Sequence, residues 1–168
     1  MRWIIEKVNE IRRKYGVDDL DFVAGELGAE VVEKSLGTIV KEAYFKDLGV
    51  IVIDPSLHPC KKRHLIAHGL AHHLFHRERR VNYFIQQKDF LKGFKLREQE
   101  REAEVFAAYL LIPEEELNKI LKEEWVKEHP NPIPELAEEF QVSPHFMKKR
   151  LEFKELLDKS YMGVRNYG

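Results

Sequence analysis

Residues 63–76 read RHLIAHGLAHHLFH, and six of the chain's eight histidines (His58, His64, His68, His72, His73 and His76) fall between positions 58 and 76. That density constrains what the segment can become. As a helix it stacks His68 and His72 one turn apart on one face, because residues four apart on a helix are neighbours. Both imidazoles can then reach a single ion at the Zn–N distance of about 2.0–2.1 Å. His76 cannot join them. A straight helix rises 1.5 Å per residue and carries it about 12 Å from His68. His76 is therefore expected beside the site or as a cap, and a third ligand must come from another segment packed against this helix.

Carboxylates on a second helix suit that role. Residues 97–113, REQEREAEVFAAYLLIP, offer Glu98, Glu100, Glu102 and Glu104. Ala103, Phe106, Ala107, Leu110 and Leu111 recur at helical spacing and mark the buried face. At about 100° per residue, Glu100 falls roughly 50° from the centre of that face. Glu98 falls opposite, and Glu102 and Glu104 lie near the flanks. A carboxylate turned toward a core is costly unless it is paired or bound to metal. Glu100 is the first choice for third ligand and Glu104 the second. His73 and His76 are expected around the site rather than in it.

The remaining pattern places these helices in an α+β fold. Trp3, Ile4, Val8 and Ile11 recur at helical spacing over residues 2–14, and Gly16 ends the run. A second short helix spans 18–28, with Asp18 or Asp19 as N-cap. Residues 29–33, 38–45 and 48–53 are rich in Val, Ile and aromatics and are divided by turn signals. They predict a small three-stranded sheet, mostly antiparallel. Helices follow at 59–76, 97–112 and 114–126, joined between the first two by a basic and aromatic connection over 77–96. After the stiff HPNPIP stretch comes a closing helical pair at 134–158. One domain is expected over residues 1–160, with that pair packed on it and a tail at 161–168.

Composition narrows the function classes. With 168 residues, 43% hydrophobic and 34% charged, the chain is globular rather than disordered. A formal net charge of -1 provides no basic field for nucleic acid. The single cysteine, Cys60, excludes an internal disulfide framework and fits a reducing compartment. No stretch has the length of a membrane span or a signal peptide. A cytoplasmic protein is expected.

His68-Gly69-Leu70-Ala71-His72 has the spacing of the zinc-peptidase motif H-E-x-x-H, with glycine in place of glutamate. From GVIVIDPSLHPCKKRHLIAHGLAHHLFH to EREAEVFAAYLLIP the chain resembles the ImmA/IrrE family of zinc metallopeptidases. That family carries A-H-E-L-G-H-x-L-x-H, which reads here Ala67, His68, Gly69, Leu70, Ala71, His72, Leu74 and His76, with Gly69 in place of the glutamate and Ala71 in place of the glycine. It also carries E-x-x-A-x-x-F-A-A-x-L-L-x-P, matched by Glu100, Ala103, Phe106, Ala107, Ala108, Leu110, Leu111 and Pro113. Residues 134–151 resemble its closing helix pair. The resemblance implies one zinc ion on His68, His72 and Glu100, and a helix-turn-helix transcriptional repressor as the target.

The departure at position 69 bears on activity. The family uses the motif glutamate as general base, and such assistance is typically worth about 10²–10⁴-fold. Gly69 has no side chain for it, so no catalytic residue is assigned. Glu104, His73 and His64 are the neighbours that would have to substitute. The expectation is a zinc-binding, peptidase-like protein of weak or lost activity that binds a repressor. An alternative reads Leu136, Ala137, Phe140, Val142, Ser143 and Leu151 as a helix-turn-helix DNA-binding module, with Lys148, Lys149 and Arg150 on phosphate. Glu135, Glu138 and Glu139 on the preceding helix oppose that alternative. A third reading is a structural domain whose histidines hold no metal.

Overall fold

The computed structural model describes residues 1–76, 80–85 and 94–165, with side chains described throughout except at 83–85, 94–96 and 160–165. The fold is α+β, as expected, and divides into two compact units, Met1–Leu111 and Ile112–Gly168.

The first unit opens with α1 (Arg2–Tyr15), whose buried stripe is Ile4, Val8 and Ile11. Next comes α2 (Leu20–Glu26), where the Asp19 carboxylate accepts from the Phe22 N–H and caps the first turn. Three strands follow: β1 (Glu30–Glu33), β2 (Val40–Phe45) and β3 (Val50–Ile53). The turn between β2 and β3 places Gly49 at φ 65, a left-handed conformation that favours glycine. Then come α3 (Pro59–Phe75), β4 (Val81–Ile85) and α4 (Phe94–Leu111).

The sheet has four strands, ordered β1-β3-β2-β4, rather than the three expected. The extra strand, β4, lies inside the connection predicted at 77–96. It is a short edge strand without Gly or Pro at its ends, and a charged run precedes it, so the usual boundary signals are missing. β1 runs parallel to β3, while β2 is antiparallel to both β3 and β4. Of the connection expected over 77–96, residues 77–79 and 86–93 lie outside the described residues.

Helix α3 is buried on every side from His64 to His73, which explains why its apolar residues show no single stripe. It contacts β2 and β3 on one side and α4 on another. Ring contacts tie it in place: Trp3 of α1 meets Phe75 edge-on at 4.8 Å, and Phe75 meets Phe106 of α4 at 5.5 Å. Arg12 of α1 donates to the Leu110 carbonyl at 2.6 Å, satisfying one of the last carbonyls of α4.

The second unit contains α5 (Glu114–Ile120), α6 (Glu124–Glu128), α7 (Ile133–Glu139) and α8 (Pro144–Arg165). The single helix expected over 114–126 is two. Lys122 and Glu123 donate back to the carbonyls of Lys119 and Ile120, a tighter turn that closes α5. The α7–α8 turn passes through Gln141 at φ 52, and Leu136, Ala137, Phe140, Val142, Phe146 and Met147 are buried around it. α8 continues to Arg165, past the expected end at 158. Arg150 is fully buried, donates from Nε to the Ile112 carbonyl at 3.0 Å, and is hydrogen-bonded to Glu114. It is therefore not available to phosphate, which removes one of the three cations that the DNA-binding alternative required.

Candidate metal centre

Helix α3 supplies the histidines because its i, i+4 spacing stacks them against α4. The imidazole rings of His68 and His72 lie 4.7 Å apart between centroids, and both residues are fully buried. Across from them stands Glu100 of α4. Its Oε2 is 3.2 Å from His68 Nε2 and its Oε1 is 3.4 Å from His72 Nε2. One ligand atom from each of His68, His72 and Glu100 can be chosen so that all three lie within 4.8 Å of one another. Two imidazole nitrogens and a carboxylate oxygen form a donor set that suits zinc, and three protein ligands leave a position open. The arrangement could hold a single metal ion.

The outer nitrogens of both rings are held. His68 Nδ1 lies 3.2 Å from Oε2 of Glu42, a fully buried carboxylate on β2. His72 Nδ1 lies 2.9 Å from His76 Nδ1, and His76 Nε2 lies 2.9 Å from Glu102 Oε2. An ionised carboxylate only accepts, so His76 Nε2–H donates to Glu102. With a cation at the site, the neutral His76 ring would accept at Nδ1 from the Nδ1–H of His72 and leave the His72 Nε2 lone pair for the ion. Burial holds His76 below its usual pKa, despite the opposing hydrogen bond to Glu102.

Charge at the site is concentrated on His68 and Glu100. Burial alone would push the His68 imidazolium down. Hydrogen bonds to Glu100 and then Glu42 outweigh it and raise the group to about 10. Burial likewise opposes ionisation of Glu100, yet His68 and His72 bring it down to about 2.

The other expected residues fall around this cluster. Glu104, one turn beyond Glu100, places Oε2 3.3 Å from His64 Nε2. Burial lowers His64 to about 4, so its ring is neutral at pH 7. His73 points away: its Nε2 donates to the Leu27 carbonyl at 3.0 Å, and its Nδ1 meets the Tyr44 hydroxyl at 2.9 Å. It tethers α3 to β2 and to the end of α2. His76 forms the C-cap of α3, and Asn82 of β4 donates to its carbonyl at 3.4 Å. Glu98 is exposed.

Sequence reasoning missed Glu42 and the Glu102–His76 link. A glutamate inside VKEAYF carries no motif. The available signal was alternation, which puts Glu42 and Tyr44 on one face of β2. Two residues of strand span about 6.7 Å and five of helix about 7.5 Å, so Glu42 and Tyr44 match the separation of His68 and His73.

The fold and site together define a metallopeptidase-like domain. The model of the peptidase M78 family, described as the IrrE N-terminal-like domain, matches residues 24–152, and the chain belongs to that family. Among solved structures the chain is similar to a Mycobacterium tuberculosis transcriptional regulator, with 19% sequence identity and a TM-score of 0.63 over 90% of this chain. The similarity covers 46% of the regulator, so this chain spans just under half of its length. A search of curated proteins gives no match.

Proposed function

We propose that this chain binds one zinc ion through His68, His72 and Glu100 and acts by binding a helix-turn-helix repressor rather than by cutting it. The observation that carries this reading is a converging donor set beside a position, Gly69, that has no side chain. Zinc supplies Lewis acidity there: it polarises a carbonyl and makes water acidic enough to ionise near pH 7. A peptidase needs in addition a group that takes a proton and returns it to the leaving amine. Among the neighbours considered for that work, His73 is committed to Leu27 and Tyr44, and Glu104 stands against His64. Family membership supports the metal, and the likeness to a transcriptional regulator supports a regulatory setting. Among the described residues no helix is long and apolar enough to cross a membrane.

Metal analysis of the untagged protein tests the first half. One zinc per chain is expected, with loss on His68→Ala or Glu100→Ala. Absence of zinc in the parent chain defeats the reading. Incubation of zinc-loaded protein with a helix-turn-helix repressor tests the second half. Complex formation without cleavage is expected. Proteolysis that a chelator abolishes would show that the chain cuts after all.

A further inference from the structure

Another segment fills the space that a side chain at position 69 would take, and that segment brings a charge. A Cβ at Gly69 would stand 2.7 Å from Ile51 Cγ2 and 2.9 Å from Glu42 Oε1. Glu42 is fully buried, and its Oε1 has no hydrogen-bond partner among the described residues. Burying a carboxylate costs several kcal/mol in ordinary circumstances and persists only with a strong compensating contact. That contact is Oε2 against His68 Nδ1 at 3.2 Å.

The two nitrogens of His68 face different groups, Nδ1 toward Glu42 and Nε2 toward Glu100. Both nitrogens face a carboxylate, so the imidazolium donates to both; with a cation at Nε2 the ring would be neutral and its one hydrogen would sit on Nδ1, toward Glu42. An ionised carboxylate cannot donate, so it selects Nδ1–H and leaves the lone pair on Nε2. Glu42 thus does for His68 what Glu102 does for His72 through His76.

We propose that Glu42 is a positioning residue of the metal centre: from strand β2 its carboxylate holds Nδ1–H of His68 so that Nε2 faces the ion, and glycine at 69 leaves it the room. The proposal rests on the zinc-binding reading above. It also accounts for the exchange at 69. A side chain there would displace Ile51 or the Glu42 carboxylate at its first carbon.

The test compares zinc affinity of the untagged full chain with that of Glu42→Gln, by competition with a chromophoric chelator. The amide keeps the shape of the side chain, loses the charge, and can turn its NH2 toward Nδ1, so an acceptor there is no longer assured. A 10- to 100-fold weaker affinity is expected, the range typical for groups that orient a metal ligand, with the far-UV circular dichroism retained. Equal affinity in the two proteins overturns the positioning role and leaves the zinc reading standing. A parent chain that takes up no zinc overturns both. A second measurement needs no variant. In the zinc-loaded parent, ¹⁵N shifts of the His68 ring should show Nδ1 protonated and Nε2 on the metal. Metal on Nδ1 overturns the proposal.

Discussion

Gly69 sits inside a buried helix, where glycine costs about 1 kcal/mol relative to alanine. On propensity alone, Gly69→Ala should stabilise the chain. Packing gives the opposite sign. A Cβ would meet Ile51 Cγ2 at 2.7 Å, and Ile51 is stiff at χ1 and fully buried. Overpacking of this kind costs about 1–3 kcal/mol. Gly69→Ala should therefore lose about 1 kcal/mol net, seen as a melting temperature lower by roughly 2–4 °C. A raised melting temperature would show that the strand gives way easily. Gly69→Glu meets the same obstruction and adds a second buried carboxylate beside Glu42. It should not create peptidase activity against a repressor, and gain of cleavage would show that the cleft reshapes to accept it.

The histidine spacing and the apolar rhythm of residues 103–111 made α3 and α4 legible as elements, because a 3.6-residue period is written locally. The same rhythm put Glu100 near the buried face, and the structure does bring it to His68 and His72. β4 was illegible, since a five-residue edge strand owes its existence to pairing with β2 rather than to its own pattern. Two predictions belong at this scale. Tyr44→Phe removes the hydroxyl that meets His73 Nδ1 and leaves a buried ring nitrogen without that contact. It should cost about 1–3 kcal/mol in denaturant unfolding and leave zinc uptake unchanged, because His73 stands outside the donor set. At the end of β3, Asp54 accepts from the Ser56 hydroxyl and N–H and from Lys41, and these bonds hold its carboxyl down to about 2. A carboxylate held low in the folded state stabilises above its unfolded pKa of about 3.9. That contribution fades as pH falls from about 4 to 2. Asp54→Asn should therefore flatten this part of the acid unfolding curve; an unchanged slope would show that the turn contributes nothing.

Two compact units make up the chain, and each carries one tryptophan, Trp3 in the first and Trp125 in the second. Arg150 organises the second unit by bonding the Ile112 carbonyl and Glu114. Arg150→Met should cost about 1.5–3 kcal/mol, the range for hydrogen bonds to charged groups. With Trp3 replaced by Phe, Trp125 emission should report that loss at lower denaturant, and an unshifted midpoint would count against it. What the local pattern dictates is which residues share a helix face and which segments alternate. Periodicity depends on near neighbours alone, so it proposed the histidine pair and the carboxylate opposite. What only three-dimensional packing settles is which side chains meet across 26 positions of sequence, as Glu42 and His68 do. That meeting depends on strand register and on α3 lying against β2 and β3. It also gives the missing side chain at 69 a physical meaning that no local pattern carries.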